Sequence, residues 1–132
     1  DVLSCFFHQT MLSDHLDYPE WLRFLVLEMQ KKENYARGLP AMYEISKYTP
    51  EHLCRAFRKY LDTSPTRFLN AIRLDEAALR LIYTGDEIID IAMDIGFDNL
   101  SHFYHLFKQR HEMSPLRYRK LSHNSPQPKA IF

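Results

Sequence analysis

One tract of this chain occurs twice. His52, Phe57, Ser64, Pro65 and Arg67 recur as His102, Phe107, Ser114, Pro115 and Arg117, each fifty positions further on. Leu53/Phe103 and Phe68/Tyr118 match in kind at the same offset. Upstream of these residues the better offset is forty-nine, with Met42/Ile91, Lys47/Gly96 and Tyr48/Phe97, so the second copy carries one more residue in its turn. Each copy is a short apolar-periodic run, a break, a second run opened by a capping residue, then Ser-Pro and another run. The second copy, Asp86 to Leu121, is the clearer one. Its first run stops at Gly96-Phe97, and its second starts after Asp98 and ends before Ser114-Pro115. Two short helices joined by a tight turn are the sequence form of a helix-turn-helix.

The local signals are helical throughout. Pro19 suits the first turn of a helix in which Leu22, Leu25, Val26 and Met29 share one face, Trp21 is the anchor and Lys31-Lys32 lie near the end. Gly38 marks a break. Leu39 to Ser46 reads as a short helix with Pro40 in its first turn and Met42 and Ile45 inward. Lys47-Tyr48 form the turn. Thr49 is the N-cap and Pro50 the first residue of a helix to Leu61, with Leu53, Ala56, Phe57 and Tyr60 inward.

Ser64-Pro65 opens a long helix to about Thr84, with Gly85 expected just beyond its end. Phe68, Ile72, Leu79 and Ile82 form one apolar stripe, widened by Leu69, Leu74, Ala78 and Leu81. About twenty residues at ~1.5 Å each give ~30 Å, close to the ~34 Å of one B-DNA turn. Asp86 is expected to cap the next helix, with Ile88, Ile91, Ala92 and Ile95 inward and Gly96 as terminator. Asp98 or Asn99 caps the following one, with Phe103, Leu106 and Phe107 inward. Ser114-Pro115 opens a last short helix through Leu121, and Ser122 to Phe132 reads as a frayed tail. Asp1 to Asp17 shows no sustained period and reads as a linker or the remnant of an upstream sensor domain.

The formal net charge is zero, 17 basic against 17 acidic residues, but the charge is segregated. Lys47 to Arg67 holds five basic and two acidic residues, Lys108 to Lys120 five and one, and Leu74 to Asp98 one basic and seven acidic. A basic face beside an acidic one is a footprint for a polyanion; charges solvating a helical surface are the plainer alternative. No run has the apolar length of a membrane span. Cys5 and Cys54 have no metal or redox spacing, so a reducing cytoplasm is the expected compartment. The chain starts at Asp1 without Met, which suggests a piece of a longer protein.

The residues that face outward on the second helix of each copy are candidates for reading bases. Arg55 matches the two acceptors that guanine presents in the major groove; its structural alternative is a surface ion pair. Glu51 can accept from a cytosine amino group, or simply favour the helix dipole. Cys54 is a small exposed residue beside them. Ser101, His102 and His105 can hydrogen-bond bases or phosphates, although His102 lies beside the inward Phe103 and can serve packing instead. Lys47, Thr49, Arg58, Lys59, Tyr104, Lys108 and Arg117 are phosphate candidates, with the backbone N–H groups at the helix starts of Ser64 and Ser114. Arg73 and Asp75 are read as members of internal ion pairs of the long helix.

Taken together, these motifs resemble the arabinose-operon-regulator (AraC-type) family of bacterial transcription factors. The resemblance rests on Ile88-Ile89-Asp90-Ile91-Ala92, Gly96-Phe97, Ser101-His102-Phe103, Phe107-Lys108, and Met113-Ser114-Pro115 with Arg117-Tyr118-Arg119. The first copy adds Thr49-Pro50, Leu53, Arg55, Phe57, Ser64-Pro65 and Arg73-Leu74. It covers Pro19 to Leu121. Asn99 to Tyr104 and Pro50 to Leu53 are similar to the branch that includes chitooligosaccharide-operon regulators. The resemblance implies an all-α domain of about seven helices, two helix-turn-helix units joined by a long connecting helix, each placing a helix in the major groove. On this reading residues 39–61 are the first unit, 65–84 the connecting helix and 86–110 the second unit. Departures are Tyr43 at a small-residue position, Lys47 at the turn glycine, Asp62 and Glu112 at the glycines before Ser-Pro, and His105 in place of an Arg.

The expected partner is double-stranded DNA at a carbohydrate-utilisation or other catabolic operon. RNA polymerase is a further candidate, through the acidic segment. A small-molecule effector would act only through an N-terminal domain outside this sequence, and the isolated piece is expected to be monomeric. No catalytic residue, metal or cofactor is expected. A metal enzyme using His102, His105 and His111 lacks the Cys or carboxylate that would complete a site. A helical protein-interaction module accounts for the amphipathic helices but not for the doubled motif or the basic segments.

Overall fold

A computed structural model of the chain describes residues 18–124. The N-terminal linker reading (1–18), apart from buried Tyr18, and the end of the tail (125–132) lie outside the described residues. The described residues form eight helices and no strand: α1 (Glu20–Glu28), α2 (Lys32–Arg37), α3 (Leu39–Ser46), α4 (Pro50–Leu61), α5 (Pro65–Tyr83), α6 (Ile88–Asp94), α7 (Leu100–His111) and α8 (Pro115–Asn124). They divide into two compact units, with the boundary inside α5 between Arg73 and Leu74.

The first unit is built on Leu22, Leu25, Met29, Met42, Leu53, Phe57 and Phe68, all essentially inaccessible to water. Phe57 and Phe68 meet edge to face at 5.3 Å, fixing α4 against the start of α5. Truncating such a buried Phe costs about 3–5 kcal/mol. α1 and α2 both pack on α3.

The helix expected to reach Lys31-Lys32 instead stops at Glu28. Buried Asn34 turns its amide back to the Glu28 carbonyl at 2.8 Å, ending α1 and admitting the separate helix α2. Lys31 pairs with the Glu28 carboxylate at 2.9 Å and stands at the N-cap of α2. Arg73 closes the other end of α2, its Nε donating to the Tyr35 carbonyl at 2.7 Å and Nη2 to that of Ala36 at 3.2 Å. A cation with N–H donors suits exposed C-terminal carbonyls. Gly38 is required here: its φ is +86°, and a Cβ would stand 2.8 Å from Arg73 Nη2.

The second unit is built on Leu81, Ile91, Ile95, Phe103 and Phe107. α6 packs on α7, and α7 on α8. Arg119 of α8 donates to the Leu81 and Thr84 carbonyls at 3.0 and 3.2 Å, satisfying the end of α5. Gly85 therefore does not cap α5. Its backbone is not in the left-handed region, and the space around it is open.

Three further expectations change. Asp86 is not the cap of α6; Glu87 holds that position without a side-chain bond, and Asp86 instead accepts from Arg80 at 3.0 Å. Arg80 also holds Asp94, so a single guanidinium ties the end of α5 to the last residue of α6. Leu79 is 40% exposed and stands outside the apolar stripe, while Ala77 is fully buried in its place. Ser122 to Asn124 continue α8 and are not part of a frayed tail.

Candidate nucleic-acid interface

In the first unit, the turn between α3 and α4 hinges on Lys47, whose φ of 64° is left-handed. Thr49 then accepts from the His52 N–H at 3.2 Å, and Pro50 opens α4. Of the α4 candidates, Glu51, Cys54, Arg55, Arg58 and Lys59 are all exposed on the side opposite Leu53, Ala56 and Phe57. No carboxylate of the described residues lies within ion-pair distance of Lys47, Arg55, Arg58, Lys59 or Arg67. Lys59 Nζ lies over the Tyr60 ring, 5.1 Å from its centroid, while the other four are directed at solvent, and among the described residues the surface ion pair that was the structural alternative for Arg55 is not formed. Thr49 is exposed, but its oxygen is engaged as the cap.

His52 behaves differently from its neighbours. Its ring stacks on Tyr48 at 4.1 Å and 14°, and Trp21 of α1 lies 4.5 Å from Tyr48 and 5.7 Å from His52. Trp21 is thus an anchor, as expected, but of the turn rather than of the apolar core.

In the second unit, Gly96 takes the left-handed position at φ 116°, and the Phe97 N–H reaches back to the Ala92 carbonyl at 2.9 Å. Asn99, not Asp98, caps α7 by accepting from the His102 N–H at 3.0 Å. Ser101, His102, Tyr104, His105 and Lys108 are exposed. His102 also touches the edge of Phe97 at 6.1 Å, so it is both accessible and packed. Lys108 and Arg117 line one groove of about 420 Å³ with Glu112, Met113, Ser114 and Leu121. The Ser114 oxygen there accepts from the Arg117 N–H at 3.3 Å and opens α8, as Ser64 opens α5.

The basic segment of the second unit is less free than its count suggests. Arg110 forks onto Asp75 at 2.7 and 2.9 Å, and Arg119 is turned to the backbone of α5. Asp75 is therefore in an internal ion pair, as expected. Arg73 bonds the carbonyls that end α2. Sequence reasoning missed Arg67 as a candidate. It is exposed in the first turn of α5, and the fifty-residue correspondence with Arg117 was the signal for it.

His111 has a buried Nε2 without a hydrogen-bond partner, 3.6 Å from Asp75 Oδ1, and its ring lies against Phe107 and Tyr118. Desolvation lowers its pKa below the ordinary value, against the opposing pull of Asp75. It is therefore turned away from His102 and His105. Among the described residues, no group of three or more His, Cys, Asp or Glu could hold a metal. Among them too, no helix is long and apolar enough to cross a membrane.

An all-helical domain with two tight-turned helix pairs, each exposing an uncommitted polar face on its second helix, has the fold of a DNA-binding transcription regulator. Residues 43–121 match the family described as "Helix-turn-helix domain". The chain belongs to this family, in its AraC-type form.

Among relatives, the HTH-type transcriptional regulator MtrA of Neisseria gonorrhoeae is 31% identical over 99 residues, covering 75% of this chain and 33% of that protein. The bifunctional transcriptional activator/DNA repair enzyme AdaA of Bacillus subtilis is 28% identical over 103 residues, covering 78% of this chain and 49% of AdaA. The chain thus spans a third to a half of these relatives. The C-terminal domain of the response regulator AraT from Geobacillus stearothermophilus superposes with a TM-score of 0.70 at 26% identity, over 80% of this chain and 88% of that one.

Proposed function

We propose that residues 19–121 are a bipartite, sequence-specific DNA reader. α4 of the first unit (39–61) and α7 of the second (86–110) enter successive major-groove segments, with residues 65–84 as the connecting helix. The observation that carries this reading is the exposed, uncommitted polar face on each of these helices, directly after a capped tight turn. Base contacts fall to Glu51, Cys54 and Arg55 in the first unit and to Ser101, His102 and His105 in the second. Arg55 has the strongest base-reading chemistry, a fork matched to guanine. Lys47, Arg58, Lys59, Arg67, Tyr104, Lys108 and Arg117 contact phosphates, and Thr49 does so through the helix start it caps.

The same proposal extends to the wider protein. The target is a carbohydrate-utilisation or other catabolic operon, a reading supported by the likeness of Asn99 to Tyr104 to chitooligosaccharide-operon regulators. The protein works in the cytoplasm, senses a small-molecule effector through a separate domain, and contacts RNA polymerase through its acidic segment. There Glu87 and Asp90 are exposed and unpaired among the described residues.

The test is selection of bound duplexes from a randomised pool. The expected product is two half-motifs at a fixed spacing of about one helical turn, ~10 bp. A single half-motif, or no enrichment, overturns the bipartite reading.

A further inference from the structure

Phe103 and Phe107 hold α7 to the second unit by apolar contact, which is non-directional. Such contact fixes which side of the helix faces inward but only loosely its roll about its own axis. The same side carries Arg110, seven residues beyond Phe103 and so nearly in line with it. Arg110 places Nε 2.7 Å from Asp75 Oδ1 and Nη2 2.9 Å from Oδ2, a two-bond fork between planar groups. Both side chains are largely covered, at 28% and 12% exposure. A bidentate guanidinium–carboxylate pair is directional as well as charge-assisted.

Ser101 and His105 lie on the opposite side of α7 from this fork. A roll of about 20° moves a side-chain tip ~6 Å from the helix axis by roughly 2 Å. That exceeds the whole range of a hydrogen bond, ~2.7–3.2 Å. α4 carries no arginine at the corresponding position. Tyr60 stands where the fifty-residue correspondence places Arg110, and it meets the edge of Tyr18 at 6.2 Å.

We propose that Asp75 and Arg110 are positioning residues that set the roll of α7, and so the base preference of the second unit alone. This rests on the reading that α7 contacts bases. The pair touches no DNA itself; it acts through Ser101 and His105.

The test uses the 132-residue chain and the duplex enriched from the randomised pool, with base substitutions made in one half-motif at a time. The double substitution Ser101→Ala/His105→Ala identifies the half-motif read by α7, as the one whose discrimination it relaxes. Asp75→Asn, and the milder Arg110→Lys, which keeps the charge but loses the fork, are expected to relax discrimination in that same half-motif. The expected loss is roughly fivefold, the low end of one mismatched base pair. Preference in the other half-motif stays unchanged. Asp75→Glu is expected to restore part of the discrimination.

Unchanged discrimination in both half-motifs overturns the proposal, and so does an equal loss in both, which a merely weakened fold would give. If the Ser101/His105 double substitution relaxes neither half-motif, the base-reading role of α7 fails and the positioning role with it. If it relaxes one while Asp75→Asn and Arg110→Lys do nothing, only the positioning role fails.

Discussion

Arg55 stands exposed early in α4 with no carboxylate of the described residues at ion-pair distance. Its replacement by Ala removes five donors and disturbs no packing. DNA affinity is expected to fall by about 1–3 kcal/mol, the worth of one bidentate base contact, with the melting temperature unchanged. Titration of the selected duplex alongside calorimetry checks this, and unchanged affinity removes Arg55 from the base-reading set.

Among the described residues, Lys47, Asp62 and Glu112 carry backbone strain, with φ of 64°, 52° and 66° at the C-caps of α3, α4 and α7. The resemblance expects glycine at all three, and the structure keeps the glycine conformation with other side chains. Glu112→Gly is expected to raise stability by up to about 1 kcal/mol, because relief of the left-handed strain exceeds the added chain entropy. Denaturant midpoints measure it.

At the scale of elements, the starts of α4, α5, α7 and α8 were legible because their signals are local. Thr49, Ser64, Asn99 and Ser114 each accept from a backbone N–H three residues on. Asn99→Ala should therefore cost about 1 kcal/mol, read from urea unfolding. What was not legible depends on partners distant in sequence. The stop of α1 depends on Asn34, the pairing of Asp86 on Arg80, and the engagement of Arg110 and Arg119 on α5. No periodicity encodes those choices. Gly85 misled for the same reason, since Arg119 arrives to do what a glycine cap would have done. In the site, the exposed candidates on α4 and α7 followed from helical spacing alone, whereas the aromatic stack around His52 required Trp21, thirty-one residues away.

The cluster of α5, α7 and α8 around His111 also has a pH signature. Burial lowers the folded-state pKa of His111, so the unfolded chain takes up its proton first as pH falls. The stability this group supports is complete above the unfolded value of about 6.5. It is lost as pH drops from there through the lower folded value. Unfolding free energies at pH 7.5 and pH 5.5 should differ, and His111→Phe should flatten this dependence. An identical pH dependence in that variant would refute it.

For the whole molecule, a net charge of zero says nothing against a polyanionic partner, because the cations are sorted. Lys108 and Arg117 face one groove, while Arg110 and Arg119 are held inward. Removing cations from these two classes should have different effects. Lys108→Ala is expected to lower the slope of log affinity against log salt by about 0.9, one phosphate contact. Arg119→Ala should leave the slope intact and reduce stability. Binding isotherms across a salt series, with melting curves in parallel, separate the two.

Trp21 is the chain's single tryptophan, and it leans on Tyr48 and His52 where α4 begins. Excitation at the red edge of protein absorbance therefore selects one fluorophore, and that fluorophore is seated in the first unit. Its emission is a built-in gauge of what happens at the start of α4, sensitive to the polarity around Tyr48 and His52. The proposed engagement of the first unit with DNA can be followed in unlabelled protein, while the second unit stays optically dark.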